Sequence, residues 1–166
     1  MMKQIRLRPD TVRNLVFGIE DSLVSTIGFI SGIAVAGIDK KTILITGAVL
    51  ILVEASSMAI GVLMSDNSVE ESIEHRAVSY VSSEWGAFVM FVSYTLSGIL
   101  VVFPYIFIAV ERAFGLAILL AGIELFALGM FSGRVAGISP WKKGLLTTLL
   151  GGLAILIGVC IGTLFK

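Results

Sequence analysis

Cysteine, histidine and charged residues are scarce in this chain of 166 residues. It has one cysteine, Cys160, and one histidine, His75. A single cysteine excludes an intramolecular disulfide and a CxxC metal site. Charged residues make up 14% of the chain, whereas soluble domains have about 25%. The 12 basic and 12 acidic residues cancel, so no basic surface is left for binding nucleic acid.

Apolar residues take the place of the missing charges. They account for 57% of the chain, and the mean hydropathy is +1.01. When a domain of this size folds in water, about a third of the surface of its unfolded chain stays exposed. A chain this apolar could not keep its apolar surface out of that exposed third. The composition therefore excludes an ordinary soluble protein and a disordered chain, and it predicts an integral membrane protein.

The clustered charges separate five apolar stretches, at about 15–38, 42–64, 85–110, 114–133 and 144–165. Each is near or above the roughly 20 residues that a helix needs to cross a membrane. A β-barrel would instead show strands of about 10 residues with alternating polarity. We therefore expect an all-α integral membrane bundle of five helices. A basic segment at 1–14 precedes it, and a short acidic connection at 65–84 interrupts it.

The Lys and Arg residues of the short connections predict the orientation of the bundle. Four lie on one side, at Lys40, Lys41, Arg112 and Lys166. Eight lie on the other, at Lys3, Arg6, Arg8, Arg13, Arg76, Arg134, Lys142 and Lys143. We expect the N-terminus in the cytoplasm and the C-terminus on the far side.

Glycine recurs at the spacing of one helical turn. Gly28 and Gly32 lie four residues apart in the first span, and Gly129 and Gly133 repeat this spacing in the fourth. Small residues at this spacing let membrane helices approach closely. We interpret both pairs as helix-packing positions rather than as direct parts of a pore.

Four acidic residues fall inside the predicted spans: Glu20, Asp21, Glu54 and Glu124. A charged side chain at the centre of a membrane helix costs about 2.5–3.5 kcal/mol, so such residues are usually functional. Met58 follows Glu54 by four residues and shares its helical face. At 1.5 Å per residue, these side chains lie about 9–15 Å from the cytoplasmic ends of their helices. This common depth predicts a polar cavity between the first, second and fourth helices, open to the cytoplasm.

Carboxylates with a thioether favour a borderline divalent ion such as Fe²⁺ or Mn²⁺. We interpret Asp21, Glu54, Met58, Glu20 and Glu124 as candidate ligands of a transported ion, with no permanently bound cofactor. An ion that displaces protons from carboxylates would couple metal movement to proton movement. Alternatives stay open for each residue: pairing within the bundle for the acids, a position near the headgroups for Glu20, and simple packing for Met58.

The acidic connection contains Glu70, Glu71, Glu74 and His75. Two pairs in this set lie four residues apart, a geometry that can bind a cation on a helix surface. The cluster is a candidate for cytoplasmic metal capture, and a merely solvated helix face is the alternative.

The motifs of the chain resemble those of the vacuolar iron transporter family of iron and manganese exporters. The segment 18–26, Gly-Ile-Glu-Asp-Ser-Leu-Val-Ser-Thr, is similar to the family signature G-A-N-D-G-L-V-S-T. Ser-Met-Ala-Ile-Gly at 57–61 resembles its S-M-A-x-G motif. Weaker similarities are Gly98 with Pro104-Tyr105, and Trp-Lys-Lys-Gly-Leu at 141–145 with Gly151-Gly152.

The resemblance implies a homodimeric, five-helix exporter that exchanges divalent metal for protons, with Asp21 and Met58 in the translocation path. The chain departs from the family pattern at Glu20, Ser22 and Val62. Longer members carry a metal-binding insertion between the second and third spans, where this chain has about twenty residues.

From residues and resemblance together, we expect a transporter that exports iron or manganese, not an enzyme. Its expected partners are divalent metal ions, protons, the lipid bilayer and a second copy of the chain, but not nucleic acid. The expected location is the plasma membrane of a prokaryote, or the vacuolar membrane of a eukaryote. The alternative is a non-transporting membrane scaffold whose acids only form hydrogen bonds between helices. An intramembrane di-iron enzyme is disfavoured because no span contains a Glu-x-x-His pair.

Overall fold

The computed structural model describes residues 9–74 and 84–166, with the backbone alone at Glu74. These residues form five helices: α1 Pro9–Val35, α2 Lys40–Glu74, α3 Glu84–Phe107, α4 Val110–Val135 and α5 Pro140–Leu164. All five are long and apolar enough to cross a membrane. The prediction of an all-α membrane bundle with five helices is therefore confirmed.

Helix α1 lies at the centre of the bundle and packs against each of the other four helices. Its side chains Leu23, Ile27 and Ile30 are fully buried. The outer helices instead expose large apolar side chains, such as Leu149 and Leu156 of α5. Exposing such a surface to water is unfavourable, whereas exposing it to lipid is not. The exposed apolar faces therefore fit a protein that lies in a bilayer.

Helices α1 and α4 both end at a valine, Val35 and Val135, that is followed by Ala-Gly-Ile. The two ends have the same geometry. Gly37 and Gly137 have positive φ angles of 82° and 69°. The N–H of Ile38 donates to the carbonyl of Ile33 at 3.1 Å, and that of Ile138 donates to Gly133 at 3.0 Å. These are Schellman motifs, in which glycine avoids the steric cost of a Cβ atom. Each motif reverses the chain within a few residues.

Helix α5 contacts α4 along its first half and α1 along its second half. A Cβ atom on Gly129 of α4 would lie 2.7 Å from the Cα of Gly144 of α5. Further along α5, a Cβ atom on Gly158 would collide with the carbonyl oxygen of Gly28 in α1. Likewise, a Cβ atom on Gly32 would lie 2.8 Å from the carbonyl oxygen of Gly158. Both predicted glycine pairs therefore face α5 within a single chain.

Candidate functional site

Two hydroxyl side chains, one from α1 and one from α3, meet at Glu54 of α2. The Ser25 Oγ of α1 donates to the Glu54 Oε2 at 2.9 Å. The Tyr94 hydroxyl of α3 donates to the same carboxylate oxygen. The Ser25 Oγ and the Tyr94 hydroxyl oxygen are 2.7 Å apart. We call Ser25, Glu54 and Tyr94 the hydroxyl–carboxylate cluster.

Close packing of α3 against α1 and α2 forms this cluster. Tyr94 is fully buried, and its backbone carbonyl accepts a hydrogen bond of 2.6 Å from the Ser22 Oγ. One turn further along α3, a Cβ atom on Gly98 would lie 2.7 Å from the Ile51 side chain and 2.9 Å from the Ser22 Oγ. The glycine therefore allows an approach that a larger residue would prevent.

Two contacts fix how α1 and α2 run side by side. The Arg13 guanidinium of α1 pairs with the Asp66 carboxylate of α2 at 3.1 Å. Twelve residues further along α1, Ser25 contacts Glu54, which lies twelve residues back along α2. The two helices are therefore antiparallel over about 18 Å. Four residues before Ser25 and four after Glu54, the same register brings Asp21 level with Met58.

A cavity of about 780 Å³ lies between these two contacts. The Arg13–Asp66 ion pair is at one end, and the hydroxyl–carboxylate cluster lies beyond the other. The wall includes Glu20 of α1, Met58 of α2 and Ser132 of α4. Helices α1, α2 and α4 contribute to this cavity, as expected from depth, but Asp21, Glu54 and Glu124 are not among the residues that line it. Helix α3, which the sequence reasoning left out, supplies Tyr94 at Glu54.

Asp21 and Glu54 are close enough to interact electrostatically, and so are Asp21 and Glu20. In residues 9–74 and 84–166, however, no three His, Cys, Asp or Glu side chains are grouped closely enough to hold a metal ion. A divalent ion in this region would need further donors, such as the Met58 sulfur or the hydroxyl oxygens beside Glu54.

Glu124 lies in a different place from the other acids. It lines a cavity of about 400 Å³ formed by α1, α3 and α4, whose wall is otherwise largely apolar, with Ser97 as an exception. Its Oε2 atom is buried and has no hydrogen-bond partner among the described residues. The structure therefore does not bring Glu124 together with Glu20 and Met58 in one cavity.

The acidic connection is only partly described. Helix α2 extends to Glu74, so Glu70 and Glu71 lie on its last turns, where Glu71 is exposed to solvent. The side chain of Glu74 and the whole of His75 lie outside the described residues. A shared cation site in this segment therefore stays a prediction.

Tyr94 is the functional candidate that sequence reasoning missed, and Ser25 was noticed only as a small residue. A signal existed in both cases. A hydroxyl inside a membrane helix has no water to bond with, so a partner in the protein stabilises it. That rule applies to Ser25 and Tyr94 as it does to the other hydroxyl residues of the spans, and it does not say that their partner is Glu54.

The fold and the site define an integral membrane protein in which carboxylates of two helices interact electrostatically near a cavity within the bundle. The chain matches the VIT family over residues 12–82 and 75–163, and it belongs to this family of metal transporters, which is not known for enzymes. It is also similar to vacuolar iron transporter homolog 4 of Arabidopsis thaliana. The two are 30% identical over 157 residues, covering 87% of this chain and 78% of the plant protein.

Proposed function

We propose that this protein exports Fe²⁺ or Mn²⁺ from the cytoplasm in exchange for protons. The observation that carries the proposal is that Asp21 and Glu54, from antiparallel helices, are close enough to interact electrostatically. They lie level with Met58 and next to a cavity of about 780 Å³. Two carboxylates and a thioether suit a borderline divalent ion. Membership of a metal-transporter family supports the same conclusion.

In this proposal the cavity is the cytoplasmic entrance, because the positive side of the chain surrounds that end of the bundle. The ion enters past the Arg13–Asp66 pair, contacts Glu20 and Met58, and is then held by Asp21 and Glu54. Glu124, which belongs to a separate cavity, is the candidate proton carrier. Metal and protons would then use different acids in separate cavities.

We further propose a homodimer in the plasma membrane of a prokaryote. One copy lacks a complete set of three His, Cys, Asp or Glu ligands within its described residues, so a second copy could complete the coordination. The exposed face of α2, which includes Leu52, Val53 and Ile60, is available for such a contact. Light scattering of the protein in detergent would measure its mass.

Proteoliposomes loaded with a metal-sensitive dye test the transport proposal. We expect Fe²⁺ and Mn²⁺ to enter the vesicles and to drive proton movement in the opposite direction. An Asp21→Ala, Glu54→Ala double variant should lose both fluxes. Unchanged metal flux in a correctly folded double variant would contradict the assignment of the site.

A membrane scaffold is the second candidate, and one observation favours it. The Glu54 carboxylate already accepts hydrogen bonds from α1 and α3, which is what a purely structural acid would do. The two functions differ in their response to Asp21→Asn and Glu54→Gln. Both substitutions retain hydrogen-bonding side chains of the same size, so a scaffold should tolerate them, whereas a transporter should lose metal flux.

A further inference from the structure

The two oxygens of the Glu54 carboxylate have different surroundings. The Ser25 Oγ and the Tyr94 hydroxyl both contact Oε2. A carboxylate oxygen has two lone-pair sites, so two hydroxyl donors occupy both sites on this oxygen. Oε1 is then the oxygen that is left to a cation.

The hydroxyls are held in place from several sides. Tyr94 is fully buried, and its backbone is fixed to α1 by the hydrogen bond from Ser22. Its hydroxyl oxygen also lies 2.7 Å from the Ser25 Oγ. The carboxylate therefore cannot rotate freely to present both oxygens to one ion without losing contacts to α1 and α3.

We propose that Ser25 and Tyr94 are positioning residues that restrict Glu54 to coordination through one oxygen and so bias the site against calcium. The proposal rests on the proposed function in that it takes Glu54 as a ligand of the transported ion. Ca²⁺ takes six to eight oxygen ligands and often uses both oxygens of a carboxylate, at about 2.3–2.6 Å. A carboxylate that offers one oxygen supplies one ligand fewer than a carboxylate that offers two. The loss of this ligand weakens the binding of Ca²⁺ more than the binding of an ion that can take the Met58 sulfur as a ligand instead.

Competition between Ca²⁺ and Mn²⁺ tests this proposal. Mn²⁺ uptake into proteoliposomes is measured at increasing Ca²⁺ for the wild type, Tyr94→Phe and Ser25→Ala. Loss of one hydrogen bond to a charged group corresponds to roughly a tenfold change in an equilibrium constant. We expect the Ca²⁺ concentration that halves uptake, divided by the KM for Mn²⁺, to fall by about this factor in each variant. We expect Ser25→Thr, which keeps the hydroxyl, to restore the wild-type ratio.

Ser93→Ala is the matched control. Ser93 lies next to Tyr94 on α3, and its buried hydroxyl donates a hydrogen bond of 3.1 Å to the backbone carbonyl of Met90 rather than to Glu54. Loss of this bond should leave the selectivity ratio unchanged. An unchanged ratio in both Tyr94→Phe and Ser25→Ala, or an equal shift in Ser93→Ala, would overturn the proposal.

Calorimetric titration of the detergent-solubilised protein separates this inference from the proposed function. It gives the ratio of the Ca²⁺ and Mn²⁺ dissociation constants without any need for transport. A wild type that binds Mn²⁺ but does not transport it would contradict the transport proposal, while the ratio in the variants would still decide the role of Ser25 and Tyr94. A wild type that binds neither ion would overturn both.

Discussion

The two halves of α1 present one stripe of residues to different neighbours. Asp21, Ser25, Gly28 and Gly32 are spaced by four, three and four residues, so they lie along one side of the helix. In the first half of the stripe, Ser25 meets Glu54 of α2 and Tyr94 of α3. In the second half, Gly28 and Gly32 meet the backbone of α5.

This difference shows how one periodic pattern can serve packing and chemistry. Where α5 touches the stripe, a Cβ atom on Gly32 would lie 2.8 Å from a backbone carbonyl oxygen of α5, and one on Gly28 would lie 3.1 Å from another. Glycine at these positions therefore allows the two backbones to approach closely. Where α5 does not reach, the stripe has room for side chains that carry oxygen atoms. The polar half should therefore control transport, and the glycine half should control stability.

The largest expected effect is on the polar half of the stripe. If Asp21 is a ligand of the transported ion, as we propose, Asp21→Asn should lower metal flux in proteoliposomes by roughly a hundredfold, because replacing a residue that only supports a metal ligand already costs up to this much. The thermal unfolding temperature of the variant should stay near that of the wild type. Glu111→Gln, which changes an exposed acid at the start of α4, is the control and should retain full flux. A folded Asp21→Asn variant with normal flux would remove the contrast between the two halves.

The glycine half predicts the opposite pattern. Gly158→Ala places a methyl group against the backbone of Gly28, and overpacking of this kind costs about 1–3 kcal/mol. We expect a thermal unfolding temperature several degrees lower, but an unchanged dissociation constant for Mn²⁺ in the protein that remains folded. Gly152→Ala is the matched control on the same helix, because its Cβ would meet no atom within 4 Å. Equal stability of the two variants would show that α1 and α5 can accommodate a methyl group between Gly158 and Gly28.

Glu124 tests whether an acid outside the stripe has a different role, because it lies in a separate cavity. If it carries protons and not metal, Glu124→Gln should reduce metal-driven proton flux by roughly fivefold, at the lower end of coupling between sites. Mn²⁺ binding measured by calorimetry should be unchanged. Weaker Mn²⁺ binding in this variant would instead place Glu124 among the metal ligands.

The smallest expected effect concerns Asp39, an exposed carboxylate that also accepts hydrogen bonds from a hydroxyl residue. Its Oδ2 accepts from the Thr42 Oγ1 at 2.5 Å, and its Oδ1 accepts from the Thr42 N–H at 3.1 Å. The side-chain hydrogen bond and then the backbone hydrogen bond from Thr42 lower the pKa of Asp39 below its ordinary value of 3.8. Because the folded pKa is the lower one, this cap stabilises α2 above about pH 4 and weakens as the pH falls through the folded pKa.

We therefore expect Asp39→Ala to lower the thermal unfolding temperature slightly at pH 7, with a difference from the wild type that shrinks below pH 4. Asp39→Asn, which keeps a capping side chain, should stay close to the wild type at pH 7. Metal flux should be unchanged in both variants. Reduced flux in Asp39→Asn would show that a hydroxyl-bonded acid outside the bundle also contributes to transport.

Some features of the fold could be predicted because they depend on local composition. A helix in lipid must satisfy its own backbone hydrogen bonds, so long apolar runs between charge clusters were enough to predict five helices. The intramembrane acids stood out for the same reason, since each carries a cost that needs a function. The similar depth of Asp21 and Met58 in the bundle also followed from counting residues along each helix.

The partners of those residues could not be predicted in this way. Glu124 has a depth similar to that of Glu54, yet it faces another cavity, because depth says nothing about which side of α1 a neighbouring helix occupies. Tyr94 was missed because the predicted third span, 85–110, contains no acid, so α3 was left out of the expected cavity. Gly158 of α5 was missed because a close approach requires two helices, and of this pair only the glycines of α1 were considered.

The kind of protein could be inferred from the order of its residues alone: a five-helix membrane bundle with acids inside the spans, small residues at helical spacing, and motifs that resemble a metal-exporter family. The spans and their acids follow from the energetic cost of moving each residue into lipid, which depends on the residue and its position along the chain. The packing of the helices is needed to know that Ser25 and Tyr94 contact Glu54, that α5 covers Gly28 and Gly32, and that Glu124 lies in a separate cavity. Those contacts depend on how the helices are rotated and crossed, which is set by packing between segments that are distant in sequence.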